Sequence, residues 1–231
     1  MLDDLRARVC EANKALVAHG LVTLTFGNAS GIDRERGIVA IKPSGMDYDA
    51  LTPNDIVLLD LKGNIVEGAL RPSSDTPTHV ILYREFAAIG GIVHTHSTYA
   101  TAFAQARRGL PCFGTTHADH FYGEVPVTRA LTQDETAREY EANTGRAIVE
   151  RFRGTDPIRM PAVLVESHGP FTWGANPMSA VENAIALEAA AISALATLTL
   201  DPETLPISKH LLDRHFPRKH GPAAYYGQKK A

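Results

Sequence analysis

The sequence predicts a single-domain α/β protein, and three observations carry that prediction. Short apolar runs bounded by Gly, Pro, Asn or Ser recur at 38–41, 56–61, 90–94 and 161–167, each of strand length. Around them lie stretches of helical periodicity, the longest at 2–16 and 178–196. The chain has 231 residues. That is enough for one sizeable core burying roughly 70% or more of the unfolded surface, and no second core is expected.

Taken in order, Leu2, Leu5, Val9, Ala12 and Leu16 recur at helical spacing and Gly20 supplies a stop, giving an amphipathic opening helix. Alternation of apolar residues with Thr predicts a strand over 21–26. It ends in Phe26-Gly27-Asn28-Ala29-Ser30, a turn whose exposed N–H groups can cradle an anion. A strand over 38–41 runs into Lys42-Pro43-Ser44-Gly45, a cation and a hydroxyl beside a glycine. Residues 56–61 and 64–66 flank Lys62-Gly63 as a hairpin. In Arg71-Pro72-Ser73-Ser74-Asp75-Thr76-Pro77-Thr78 the proline sits where a first helical turn takes one, before a helical run over 79–86. Free N–H groups and the helix dipole favour a phosphate there, and ordinary capping fits the same residues. Three anion-compatible loops together favour a phosphate site more than any one alone.

The chain is organised around Gly90-Gly91-Ile92-Val93-His94-Thr95-His96-Ser97. Read as a strand, it projects His94 and His96 from one face, the geometry a divalent transition metal needs. His168 follows far downstream at the end of the run over 161–167, and three His with an open fourth position match a catalytic zinc pattern. Ser97 can cap a helix over 98–107, and an extended piece covers 110–113. The stretch Gly114-Thr115-Thr116-His117-Ala118-Asp119-His120 is dense in acid/base groups that also read as ordinary loop residues. Thr132 and Glu135 have capping-box spacing and open a helix to 141, with a second helix over 146–152. Asn176-Pro177 caps the long Ala- and Leu-rich helix, and the tail carries His210, His215, Lys219, His220, Tyr225 and Tyr226.

Composition excludes several classes. Lys and Arg number 23 against 26 Asp and Glu, a net charge of −3 with the signs interspersed, so nucleic acid is not an expected partner. No apolar run is expected to reach the ~18 residues of a membrane span, and the charged N-terminus reads as untargeted. Cys10 and Cys112 are the only cysteines, which argues against a disulfide framework and makes the cytoplasm the expected compartment.

The chain resembles the class II aldolase, epimerase and adducin-head superfamily from end to end. The resemblance rests on Phe26-Gly27-Asn28, Lys42-Pro43-Ser44-Gly45, Pro72-Ser73-Ser74-Asp75-Thr76-Pro77-Thr78-His79, residues 90–97, and Ser167-His168-Gly169-Pro170-Phe171. Thr115-Thr116-His117-Ala118-Asp119, Arg218-Lys219-His220-Gly221 and Tyr225-Tyr226-Gly227-Gln228 resemble its epimerase branch. The resemblance implies a three-layer αβα fold with a predominantly antiparallel central sheet. It also implies zinc, with manganese or cobalt as substitutes, on His94, His96 and His168, and Asp75 beside it as a fourth ligand or an acid/base group. Gly27, Asn28, Ser44, Gly45, Ser73 and Ser74 match the phosphate contacts, with Lys42 nearby. Asp119 and Tyr226 correspond to the two proton-transfer residues, and His215 and Glu141 are further carry-overs.

The activity implied is 4-epimerisation of a phosphorylated ketopentose, L-ribulose 5-phosphate to D-xylulose 5-phosphate. A C–H that is not acidic and a chain without a dinucleotide fingerprint leave carbon–carbon cleavage and re-formation as the route. A homotetramer is implied, with the tail, 205–231, completing a neighbouring subunit's site. A sugar-phosphate aldolase and a non-catalytic adducin-like module are the rival readings. Against the first, such aldolases commonly carry Glu where this chain has Asp75. Against the second, all three histidines are present. Phe26, His120 and Glu166 depart from the pattern, and Glu166 either brings charge near the metal or faces away.

Overall fold

The computed structural model describes residues 2–220 and 224–225. Seven strands form one sheet in the order β4-β3-β2-β1-β5-β7-β6. They are β1 (Asn28–Asp33), β2 (Ile38–Ile41), β3 (Val57–Asp60), β4 (Ile65–Glu67), β5 (Gly91–His94), β6 (Ala162–Val165) and β7 (Gly169–Gly174). Every neighbouring pair is antiparallel. The helices are α1 (Leu2–Ala18), α2 (Thr76–Glu85), α3 (Thr98–Gln105), α4 (Thr115–Ala118), α5 (Gln133–Ala137), α6 (Tyr140–Arg151), α7 (Pro177–Leu200) and α8 (Lys209–Lys219).

Side-chain alternation along the strands separates the layers. On one face Ala29 and Val93 join Ala12 and Leu16 of α1 and Ala180, Val181 and Ala184 of α7. On the other, Ser30 reaches His79 and Tyr83 of α2, while Phe171 and Trp173 of β7 join a core with Leu82, Phe86, Ile148 and Phe152. The antiparallel three-layer expectation therefore holds.

The expected strand over 21–26 is displaced. Phe26 N–H bonds back to the Thr23 carbonyl, and Leu24 adopts φ +53, which no strand residue can. The strand forms instead over the small residues that follow. The space above Gly31 explains why, since a Cβ there would meet Pro177 at 2.8 Å and Leu5 and Val9 at 3.0 Å. Small residues let two helices sit on the sheet at once, and a strand without large apolar residues gives no alternation to detect.

Three further differences matter for the site. β7 carries two glycines and a proline, residues that signal a turn in sequence. Yet Pro170 contributes its carbonyl, not its missing N–H, accepting from Thr95 N–H at 3.3 Å. The helix expected to run from 133 to 141 breaks at Glu139, whose φ is +50, and α6 starts six residues before the expected 146. Finally, α7 has the length and mean hydropathy, 1.5 over its apolar window, to cross a bilayer, contrary to the expectation of no such run. One face of it packs along β5 and β7 with Ala180, Val181, Ala184, Leu187 and Ala191 buried, and 33% of the apolar window is buried in all. Cys10 and Cys112 are both buried and free, as expected.

Candidate active site

His94 is the last residue of β5, and His96 lies just beyond the strand rather than on it. His168 comes from the tight loop joining β6 to β7, where Ser167 holds φ +56 and His168 N–H bonds to the Val165 carbonyl at 3.0 Å. Central pairing of β5 with β7 brings the two together, and one nitrogen of each imidazole lies within 4.8 Å of the others. The three grade from buried His94 through His168 to exposed His96, so the cluster opens on one side.

The ring chemistry suits a cation. Nδ1 of His94 lies 3.0 Å from the Pro170 carbonyl, so the neutral ring donates there and presents a lone pair at Nε2, which sits 3.1 Å from Nε2 of His96. Burial, with His94 and His96 alongside, brings the His168 pKa down to about 3, and burial likewise lowers His96. These two rings are therefore neutral at physiological pH, the form that ligates a metal. Asp75 ends the turn before α2 without capping it. Its Oδ2 instead accepts from Asn28 Nδ2 at 2.7 Å. Burial works to raise its carboxyl, but His94, His79 and the Asn28 amide outweigh it and hold the group below the usual carboxylate range. Three imidazoles beside a carboxylate fit a divalent metal, although Asp75 is not within the mutual 4.8 Å of the triad.

The three anion-compatible loops converge on the same place. Asn28 Nδ2 also donates to Ser73 Oγ at 3.0 Å, Ser73 N–H bonds to the Lys42 carbonyl at 3.0 Å, and Ser44 N–H bonds to the Arg71 carbonyl at 2.9 Å. Gly27, Asn28, Lys42, Ser44, Gly45, Ser73, Ser74, Asp75, Glu141 and all three histidines line one cavity of about 370 Å³. Oδ1 of Asn28 is buried there with no hydrogen-bond partner among the described residues, a polar atom that a ligand can satisfy.

Phe26, singled out in sequence only as a departure in its motif, stacks on His96 with ring centroids 6.1 Å apart. Sequence reasoning missed Tyr140, whose Oη lies 3.4 Å from His168 Nδ1. Tyr140 reaches the cavity because α6 starts early, and Glu139 in a left-handed conformation gives no sequence signal for that start.

Asp119 and His215 lie together outside this cavity. Nδ1 of His215 is 3.0 Å from Asp119 Oδ1, Arg218 grips both carboxylate oxygens, and His220 Nε2 bonds to the Asp119 main-chain carbonyl at 2.8 Å. Burial alone would raise the Asp119 carboxyl, and Arg218 and His215 overcome it to lower the pKa. Tyr226 lies outside the described residues. Glu166 accepts from Arg107 Nε at 2.6 Å and is not among the residues lining that cavity, while His120 lies 3.3 Å from Asn183 Oδ1.

This combination of sheet, histidine cluster and polar loops defines the class. Residues 7–195 match the family described as "Class II Aldolase and Adducin N-terminal domain", and the chain belongs to it. Among curated relatives, L-ribulose-5-phosphate 4-epimerase UlaF of Salmonella paratyphi C (strain RKS4594) is 50% identical over 228 residues, covering 99% of this chain and all of that one. Among solved structures, an L-fuculose 1-phosphate aldolase superposes with a TM-score of 0.80 at 29% identity, covering 93% of this chain and 95% of its own. L-fuculose-1-phosphate aldolase from Thermus thermophilus gives 0.69 at 25% identity, covering 88% and 100%.

Proposed function

We propose that this protein is a zinc-dependent 4-epimerase that interconverts L-ribulose 5-phosphate and D-xylulose 5-phosphate by breaking and re-forming the C3–C4 bond. The observation that carries the reading is the meeting of a three-imidazole cluster and three anion-compatible loops in one cavity. The 50% identity to a 4-epimerase supports the substrate assignment. His94, His96 and His168 would hold the metal, with Asp75 as a fourth ligand or an acid/base group. A divalent ion bound there supplies Lewis acidity toward the sugar's carbonyl end. Gly27, Asn28, Ser44, Gly45, Ser73 and Ser74, with Lys42, hold the phosphate and keep the cleaved fragment tethered while it turns.

Asp119 and Tyr226 divide the proton transfers. One takes the C4 hydroxyl proton as the bond opens, and the other returns a proton to the C4 oxygen once the opposite face has been attacked. Asp119 lies outside its own chain's cavity, and in this reading it would act, with the tail, in the site of a neighbouring subunit. We extend the proposal accordingly to a cytoplasmic homotetramer in which the tail, 205–231, carries His215 and Tyr226 across the interface.

The test is turnover of L-ribulose 5-phosphate by the purified protein before and after chelation and zinc restoration, with separate readouts for D-xylulose 5-phosphate and glycolaldehyde phosphate. Metal-dependent D-xylulose 5-phosphate without fragment release is the expected result. Fragment release as the main outcome would reassign the protein as an aldolase, the second reading, which the 0.80 superposition on an aldolase favours.

A further inference from the structure

Tyr48 follows β2 by several residues, is 4% exposed and belongs to none of the sequence motifs, yet it touches two of the three anion-compatible loops. Its hydroxyl lies 3.0 Å from the Phe26 carbonyl oxygen and 2.8 Å from that of Gly27, so its proton is shared by the turn that leads into Asn28. Over its ring, 4.5 Å from the centroid, sits Nζ of Lys42. Lys42 is 1% exposed and lines the cavity, and its ammonium also reaches the Pro43 carbonyl at 3.4 Å, a long contact for a group with three donors. Burial lowers the Lys42 pKa, with Asp47 opposing, so the cation needs a partner that does not neutralise it. An aromatic face is such a partner, because its quadrupole attracts the ammonium without consuming a donor.

The geometry points to Tyr48 as a positioning residue of the phosphate subsite. Its ring fixes the Lys42 ammonium at the cavity wall, and its hydroxyl fixes the Phe26–Gly27 turn. Two loops that must grip one phosphate are thereby held at a set separation. This inference rests on reading the cavity as a phosphate site. It goes beyond that reading by assigning the grip to a residue that is absent from the cavity lining.

Two variants of the zinc-loaded protein separate the parts. Tyr48→Phe removes the hydroxyl and keeps the ring, whereas Tyr48→Leu removes both. KM and kcat for L-ribulose 5-phosphate and the inhibition constant of inorganic phosphate are measured together with zinc content and Tm. Tyr48→Phe is expected to raise KM and the phosphate constant by about three- to ten-fold, the scale of one lost hydrogen bond. Tyr48→Leu is expected to raise both about ten-fold or more as the ring contact is also lost. In each case kcat should stay within about two-fold, the pattern for loss of uniform binding. Unchanged constants in both variants, while Lys42→Met loses phosphate affinity in the same assay, would overturn the role of Tyr48 and leave the phosphate reading standing. Wild-type protein indifferent to phosphate, with Lys42→Met equally without effect, would overturn that reading and the role of Tyr48 with it. A fall in kcat and Tm with KM unchanged would mark Tyr48 as merely structural, which also overturns the proposal.

Discussion

Phe171 lies flat against His94, ring centroids 4.2 Å apart and 18° from parallel, because the two residues are partners across β5 and β7. The imidazole is thus held by a ring on its face and by the Pro170 carbonyl on its edge. Phe171→Leu keeps the site apolar but removes the flat support, and a metal-supporting neighbour of this kind typically matters by about 10- to 100-fold in affinity. A competitive-chelator titration of the variant should show zinc bound at least about ten-fold more weakly. An unchanged constant would mean that the carbonyl alone orients the ring.

Gly27 and Gly45 both have positive φ, +91 and +65, but differ in what surrounds them. A Cβ on Gly27 would stand 2.8 Å from the His94 carbonyl oxygen, while one on Gly45 meets nothing within 4 Å. Gly45→Ala should therefore cost only the left-handed backbone term, about 1–2 kcal/mol. Gly27→Ala adds a clash with main chain that cannot rotate away, and should cost about 1–3 kcal/mol more. Urea denaturation of the pair checks the difference, and equal losses would show that the turn can shift off β5.

Two buried histidines that are not among the proposed ligands, His79 beside Asp75 and His117, give the fold a pH dependence with a definite sign. Burial lowers His79 from 6.5 to about 3 and His117 to about 4, with His120 adding repulsion at His117. Between those values and 6.5 the unfolded chain binds protons that the folded chain refuses, so stability rises with pH. The contribution is complete above about pH 6.5 and is lost as pH falls toward 4, at up to about 1.4 kcal/mol per pH unit for each histidine. The urea midpoint of metal-free protein should drop between pH 7 and pH 5. His117→Gln should flatten that drop, and a wild-type midpoint that stays level over the range would contradict the argument.

Asp119 anchors α8 through its carboxylate to His215 and Arg218 and through its carbonyl to His220. Asp119→Asn keeps the shape, removes the charge and leaves Arg218 facing a neutral amide. We expect faster amide hydrogen exchange across 209–219 and, on the proposed proton-transfer role, a fall in turnover of about 100-fold or more. Lost turnover with exchange unchanged would confine the role to proton transfer.

Much of this arrangement was legible in the sequence where a local rule and a global one agree. α1 showed in the spacing of Leu5, Val9, Ala12 and Leu16, all buried, and the first turn of α2 showed in Pro77. His94 and His168 stood out because each closes an apolar run, the period that buried strands share. What did not show was set by contact at a distance. β1 is built of small residues because two helices lie on it, and β7 starts on a glycine because neighbouring backbone comes close, with Thr95 oxygen 2.7 Å from a Cβ on Gly169. Tyr140 entered the cavity through a helix start that only the fold of 135–143 determines, with Asn143 Nδ2 bonded to the Glu135 and Arg138 carbonyls. Tyr48 sits in no motif, and its side chain contacts Phe26, Gly27 and Lys42, three residues that chain order places before it.

The pairing of β5 with β7 also sets when the histidine cluster can come into existence. His94 and the carbonyl that orients it are 76 residues apart in the chain, and β5 is joined on its other side to β1, across the whole hairpin of β3 and β4. Closing such long loops delays the reward of the contacts they bring, so this is a topology of high contact order and slow assembly. His94 and His96 are local in the chain, but His168 joins them only once β7 is in place, so the full triad is not available to a nascent or newly diluted chain. Metal present during refolding should therefore leave the rate of the main folding phase untouched and act afterwards, slowing unfolding by stabilising contacts that the transition state has yet to make.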